Sequence, residues 1–204
     1  MTAKTSLLGE TTDGMRAVAQ PVLIGLAVLW AIELVDTLVL GSSLQRHGIH
    51  PREVSGLWGV LLSPFLHGGF GHLIANSGPF VVLGCLVRGR GKVPFLEASA
   101  VIIVVGGLGT WLTGGAHSNH IGASGLIFGW LGYLLLAGWY ERSMVTIATS
   151  VVVGVIYGGM IWGVLPTRPG VSWQGHLFGF LGGWLAAKLI AWSSKEDRAA
   201  LAKR

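Results

Sequence analysis

The sequence predicts an all-α, polytopic membrane protein built as a bundle of six transmembrane helices. Three observations predict this. Apolar residues make up 51% of the 204-residue chain and charged residues only 11%, whereas a soluble domain carries about 25% charged residues. Six stretches approach the roughly 20 mostly apolar residues needed to cross about 30 Å of hydrocarbon. The mean hydropathy of +0.65 comes with 33 Gly and 9 Trp, a composition suited to helices that pack through small residues and anchor at headgroups through indoles.

The first expected span is Ala17 to Leu40. No removable leader with a small-residue cleavage site is expected, so this helix should act as its own insertion signal. The connection Gly41 to Gly71 contains the apolar run Leu57 to Leu66, too short to cross as a helix rising 1.5 Å per residue, so an interfacial or re-entrant segment is expected. The remaining spans are His72 to Val87, Val93 to Thr113, Ile121 to Tyr140, Met144 to Leu165 and Trp173 to Trp192. This divides the chain into a cytoplasmic segment 1–16, a membrane domain 17–192 and a cytoplasmic tail 193–204 that reads as a solvated helix end.

Orientation follows from the basic residues, which are retained on the cytoplasmic side. With the N-terminus inside, eleven Lys and Arg lie on that side, against only Arg46, Arg52 and Arg168 outside. Both termini are therefore expected in the cytoplasm, and the second, fourth and sixth spans enter from outside. The formal charge of +5 punctuates apolar segments rather than forming one patch, which argues against a nucleic-acid partner. Cys85 is the single cysteine, so no intrachain disulfide can form.

Polar groups inside a bilayer are costly and are candidates for function. Four of them fall near the outer ends of the three helices that enter from outside. His72 and Asn76 are four residues apart, on one helix face, and both can offer an N–H to an oxyanion. Ser124 lies in Gly122-Ala123-Ser124-Gly125, about one turn inside the start of the fourth span. His176 shares a face with Gly179 and Gly183, while the fourth span offers Gly125, Gly129 and Gly132. Close packing of these faces would bring the imidazole to the Ser124 hydroxyl as general base to nucleophile, with Phe128 positioned to stack on the ring. Each element alone has a packing explanation; their placement at one depth favours function.

Other chemistries fit less well. His47, His50, His67, His72, His117, His120 and His176 are all outer or near-outer, but no H-E-x-x-H occurs, so no metal is expected. Glu33, Asp36 and Glu97 sit at different depths and read as structural groups at helix ends. With no acid placed to complete a triad, the reading is a Ser–His dyad. No phosphate loop or dinucleotide fingerprint occurs, and no cofactor is expected.

At these residues the sequence resembles the rhomboid family of intramembrane serine proteases. His67, His72 and Asn76 meet its H-x-x-x-x-H-x-x-x-N pattern, Gly122, Ser124 and Gly125 its G-x-S-G, and His176, Gly179 and Gly183 its H-x-x-G-x-x-x-G. The resemblance implies a six-helix rhomboid-like bundle in which Ser124 is nucleophile and His176 base. His72, Asn76 and the Ser124 backbone N–H would form the oxyanion hole, and His67 would brace the first outer loop. Two departures stand out. Many members have Trp-Arg in that loop where Trp58 is followed here by Gly59, and many have Tyr where Phe128 stands.

The implied reaction is hydrolysis of a peptide bond in or beside a transmembrane helix of a single-span or polytopic membrane protein, in contact with lipid and with no obligate partner evident. Such a helix must unwind locally, since its carbonyls are committed to intrahelical bonds. The fifth span carries Gly154, Gly158, Gly159 and Gly163 and is followed by Pro166 to Ser172; this region is expected to move to admit substrate. The alternatives are a non-catalytic rhomboid-like protein that binds transmembrane clients and, from another class, a small transporter. The expected location is a prokaryotic plasma membrane with the site opening to the outer face.

Overall fold

The computed structural model describes the backbone of residues 2–167 and 169–201 and the side chains of residues 12–167 and 169–194. Among the described residues the fold is six long helices with no named strand: α1 (Thr2–Leu38), α2 (Phe70–Arg88), α3 (Lys92–Thr113), α4 (Ser124–Glu141), α5 (Met144–Tyr157) and α6 (Trp173–Leu201). The chain is a polytopic all-α membrane protein. α1 begins well before Ala17, because helix formation does not stop where hydrophobicity does; its apolar portion is Thr12–Leu38. Likewise α6 runs past Trp192 without a break, and the side chains of the charged tail lie outside the described residues.

Five helical segments are long and apolar enough to cross a membrane by length and composition, and α4 is not among them. The reason lies in its position. α4 packs most extensively against α6 and also contacts α2, α3 and α5, and it buries Ile127, Phe128, Trp130, Leu131, Tyr133, Leu134 and Ala137. A helix surrounded by protein need not be lipophilic on its outside, so glycines and aromatics replace aliphatics. Its 18 residues still give about 27 Å of helix, close to the hydrocarbon thickness.

Glycine permits the closest approaches. A Cβ at Gly179 would overlap the Gly125 carbonyl, and one at Gly183 would overlap the carbonyl of Gly129. The α4 and α6 backbones therefore touch directly where the sequence aligned their small residues.

Two elements differ from expectation in ways that matter for the site. α4 starts at Ser124 rather than Ile121, because Gly122 has φ +119° and cannot be helical. The fifth span is not one α-helix. It winds as α to Tyr157 and then tightens into a 3₁₀ segment, Gly158–Val164, beginning at a glycine pair that holds a regular helix weakly.

The connection between α1 and α2 folds as short helical turns, Leu44–His47, Val54–Leu57, Gly59–Leu62 and Ser63–Phe65. Gly59 has a steric cause, since a Cβ there would overlap the Gly48 carbonyl. The brace comes from Arg52, whose Nη1 donates to the carbonyls of Leu112 and Gly114 at 3.1 and 2.7 Å. Asp36 holds the turn after α1 by accepting the Leu44 N–H at 2.8 Å, and Glu33 accepts the Thr37 hydroxyl at 3.2 Å. At the other end of the bundle Arg90 pairs with Glu141 and donates to the Tyr133 hydroxyl.

Candidate active site

The starts of α4 and α6 and the 3₁₀ segment after α5 meet at one point. His176 Nε2 lies 2.9 Å from Ser124 Oγ, and its Nδ1 lies 2.9 Å from the Gly163 carbonyl oxygen. A carbonyl only accepts, so Nδ1 carries the proton and Nε2 is left to accept from the serine hydroxyl. Phe128 lies flat on the imidazole, with centroids 4.0 Å apart and planes 5° apart. The ring is thus held by one hydrogen bond on its far edge and one face of contact. His176 is 8% exposed, and it and half-buried Ser124 both line an open cleft of about 1050 Å³.

The start of α4 at Ser124 has a chemical consequence. The N–H groups of a first helical turn have no intrahelical acceptor and lie at the positive end of the helix dipole. The Ser124 N–H is one of them. Ahead of it, the bare face of Gly122 is where two donors converge. A Cβ there would stand 2.7 Å from His72 Nε2 and 3.7 Å from Asn76 Nδ2. His72 Nδ1 accepts the Gly68 N–H at 3.3 Å, which leaves Nε2 as the protonated, donating nitrogen. Asn76 Nδ2 is buried without a hydrogen-bond partner, a costly condition that calls for a reason. These donors are grouped as an anion binding beside Ser124 Oγ would require.

His67 supports the backbone leading into Ser124. Its Nε2 accepts the Ala123 N–H at 3.3 Å, and the Gly122 N–H is held by the Ser63 carbonyl at 2.9 Å. Burial, helped by neighbouring His72 and opposed by the nearby Phe65 carbonyl, pushes His67 down to about 4. It therefore stays neutral and keeps the lone pair that Ala123 needs. Its ring meets His72 edge-on at 5.1 Å.

The structure thus brings together Ser124, His176, His72, Asn76, Phe128, Gly122 and Gly125, with Gly179 and Gly183 allowing the approach and His67 behind them. Sequence reasoning assigned no role at the site to four contributors, Gly163, Arg52, His120 and Ser172. The Gly163 carbonyl leaves no mark in a side-chain pattern. Arg52 entered the sequence reading only as a charge in the topology count, whereas the structure gives it the carbonyls of Leu112 and Gly114. His120, hydrogen-bonded to Ser172 at 2.6 Å, figures in the sequence only as one of seven histidines, and Ser172 only as the end of the segment Pro166 to Ser172. Among the described residues, no group of three or more His, Cys, Asp or Glu side chains is arranged to hold a metal.

A hydroxyl bonded to a neutral, oriented imidazole beside a set of converging N–H donors, on a bundle of membrane helices, defines a class. The Rhomboid domain profile matches residues 54–193, and the chain belongs to the rhomboid family. Among its relatives, "Uncharacterized protein Rv1337" of Mycobacterium tuberculosis is 45% identical over 181 residues, covering 85% of this chain and 75% of the relative. "Putative rhomboid protease YdcA" of Bacillus subtilis is 32% identical over 184 residues, covering 84% of this chain and 91% of that protein. "RHOMBOID-like protein 7" of Arabidopsis thaliana is 33% identical over 164 residues, covering 73% and 49% respectively.

Proposed function

We propose that the protein is an intramembrane serine endopeptidase that hydrolyses peptide bonds in or near transmembrane segments of single-span or polytopic membrane proteins. The observation that carries this reading is the 2.9 Å contact between His176 Nε2 and Ser124 Oγ, with Nδ1 committed to Gly163. Ser124 Oγ attacks the scissile carbonyl carbon while His176 Nε2 takes the hydroxyl proton. The bond from Nδ1–H to the Gly163 carbonyl strengthens as the ring becomes cationic, a role that a carboxylate fills in a triad.

The developing oxyanion is held by the Ser124 N–H, His72 Nε2–H and the Asn76 amide, and the vacant Asn76 Nδ2 gains its partner only then. The tetrahedral intermediate collapses, His176 gives its proton to the leaving amine, and an acyl ester on Ser124 remains. Water entering from the cleft then attacks the ester as it loses a proton to His176; the second tetrahedral intermediate collapses, His176 returns that proton to the leaving Ser124 Oγ, and the acid product departs as its carboxylate. An intact helix cannot present a carbonyl to this site, so substrates with Gly, Pro or polar residues near the cleavage point are preferred.

The cleft lies between α2, lined by Ala75, Asn76 and Pro79, and the side lined by Met160, Pro166, Thr167 and Pro169, so this side admits the substrate. The membrane domain is residues 17–192. Both ends are cytoplasmic and the site faces outward, in a prokaryotic plasma membrane to judge from its mycobacterial and Bacillus relatives.

The test is cleavage of single-span reporters by reconstituted protein beside Ser124→Ala and His176→Ala, with product masses recorded and a serine-directed probe applied. Cleavage near the outer boundary that both substitutions abolish, with folding preserved, supports the reading. No cleavage and no labelling of Ser124 would replace it with a client-binding role.

A further inference from the structure

The contact between Ser124 and His176 has a counterpart four residues earlier on each segment. His120 is four residues before Ser124, and Ser172 is four before His176. His120 Nδ1 lies 2.6 Å from Ser172 Oγ, and both pairs span 52 positions of the chain. The residue types are exchanged between the two rungs. Where the inner rung has serine on the α4 side and histidine on α6, the outer rung has histidine before α4 and serine before α6.

The protons of the outer rung can be assigned. Ser118 Oγ lies 2.6 Å from the Gly115 carbonyl and 2.8 Å from His120 Nε2. The carbonyl must receive the Ser118 proton, so Ser118 accepts from His120 Nε2–H and His120 Nδ1 is left to accept from Ser172. Ser172 Oγ in turn accepts the Gly175 N–H at 3.2 Å, and the Ser172 carbonyl accepts the N–H of His176 at 3.1 Å. Ser172 therefore caps the first turn of α6 with both its side chain and its backbone.

The His120 backbone exchanges both hydrogen bonds with Ile49 at 3.0 Å. The residue thus joins the loop before α2, the connection before α4 and the start of α6. It is 9% exposed, and burial, together with His50, lowers its pKa, in keeping with the single tautomer that this chain requires.

We infer that His120 is a positioning residue: through Ser172 it fixes the first turn of α6 and so sets the register at which His176 meets Ser124. The inference rests on the Ser–His reading of the site. The inner pair sits on this first turn of α6, which rests on α4 where the Gly175 carbonyl lies beside Gly125 and is tied to the loop before α2 and to the connection before α4 through Ser172 and His120. A displacement of about 1 Å in a reacting pair is enough to cost roughly 100-fold in rate. Ser172 acts here as a brace, with its hydroxyl donating to His120 Nδ1 and accepting the Gly175 N–H.

The experiment uses the full chain in proteoliposomes and separates the two ring nitrogens. An asparagine at position 120 can place its Oδ1 where Nδ1 now accepts from Ser172, whereas a glutamine reaches toward Ser118 instead. His120→Gln and Ser172→Ala are each expected to lower kcat for a reporter by roughly 10- to 100-fold, with KM within about twofold. Probe labelling of Ser124 should slow in step. His120→Asn should stay within about threefold of wild type, and the His120→Gln, Ser172→Ala double variant should be no slower than the slower single.

Equal losses in His120→Asn and His120→Gln, multiplication of the two single effects, or unchanged kcat in a wild type that cleaves would each overturn the inference. So would probe labelling that persists at Ser172 in Ser124→Ala. If His120→Gln fails to fold, Ser172→Ala and His120→Asn carry the same kcat and labelling test. A wild type silent to both probe and reporter refutes the Ser–His reading and this inference with it, whereas an active wild type with indifferent variants refutes only the second.

Discussion

Acidification should destabilise the protein through His67, by an amount that can be worked out from its surroundings. Its ring is 1% exposed and its Nε2 accepts the Ala123 N–H. Protonation would turn that acceptor into a donor facing another donor. With the pKa lowered from 6.5 to about 4, the unfolded chain takes up a proton below 6.5 while the folded one resists until about 4. The stabilisation is complete above pH 6.5, is lost as pH falls through that window, and levels off below 4. The full difference is roughly 3 kcal/mol, of which roughly 2 kcal/mol is gone by pH 5.

The assay is thermal or denaturant unfolding in detergent micelles from pH 7 to pH 4, for wild type and His67→Gln. Glutamine can keep an acceptor toward Ala123 but does not titrate, so subtraction removes what other groups contribute. The two curves should converge by roughly 2 to 3 kcal/mol as pH falls. Parallel curves would refute the account of His67 as a buried neutral acceptor.

Further outcomes follow from the same geometry. Gly183→Ala forces α4 and α6 apart, and should cost about 1 to 3 kcal/mol or more in unfolding experiments. Gly158→Ala meets no atom within 4 Å and should be neutral or stabilising by about 0.5 kcal/mol. Asn76→Ala should lower kcat by about 100- to 1000-fold yet leave the unfolding midpoint unchanged or raised, because the lost amide hydrogens have no partner in the free protein. Phe128→Ala should lower kcat by releasing the His176 ring, with Phe128→Tyr close to wild type in steady-state cleavage.

The predictions divide according to how far apart in sequence the interacting groups are. Helical character and small-residue faces repeat within a few residues, and the sequence shows them. So the spacing of His72 and Asn76, of Gly125 and Gly129, and of Gly179 and Gly183 indicated which faces should meet before any coordinates did. The same pattern misjudged local geometry where a single dihedral decides it. Gly122 at positive φ moves the start of α4 to Ser124 and frees that residue's N–H, which a hydropathy profile does not register. It also overstated the regularity of the fifth span, where Gly158 begins a tighter winding and brings the Gly163 carbonyl to His176.

By itself the sequence determined that the chain crosses a membrane repeatedly, that its helices can approach backbone to backbone, and that Ser, His and Asn lie at similar depth on helices entering from one side. Only the tertiary structure decided which acceptor orients His176, which nitrogen of each histidine holds the proton, how Arg52 braces the connection between α1 and α2, and that a second Ser–His contact lies four residues before the first on both segments. The physical reason is that periodicity specifies the direction of a side chain from its own helix. A hydrogen bond also depends on the distance and angle between two helices, and these are set by the packing of the whole bundle around α4.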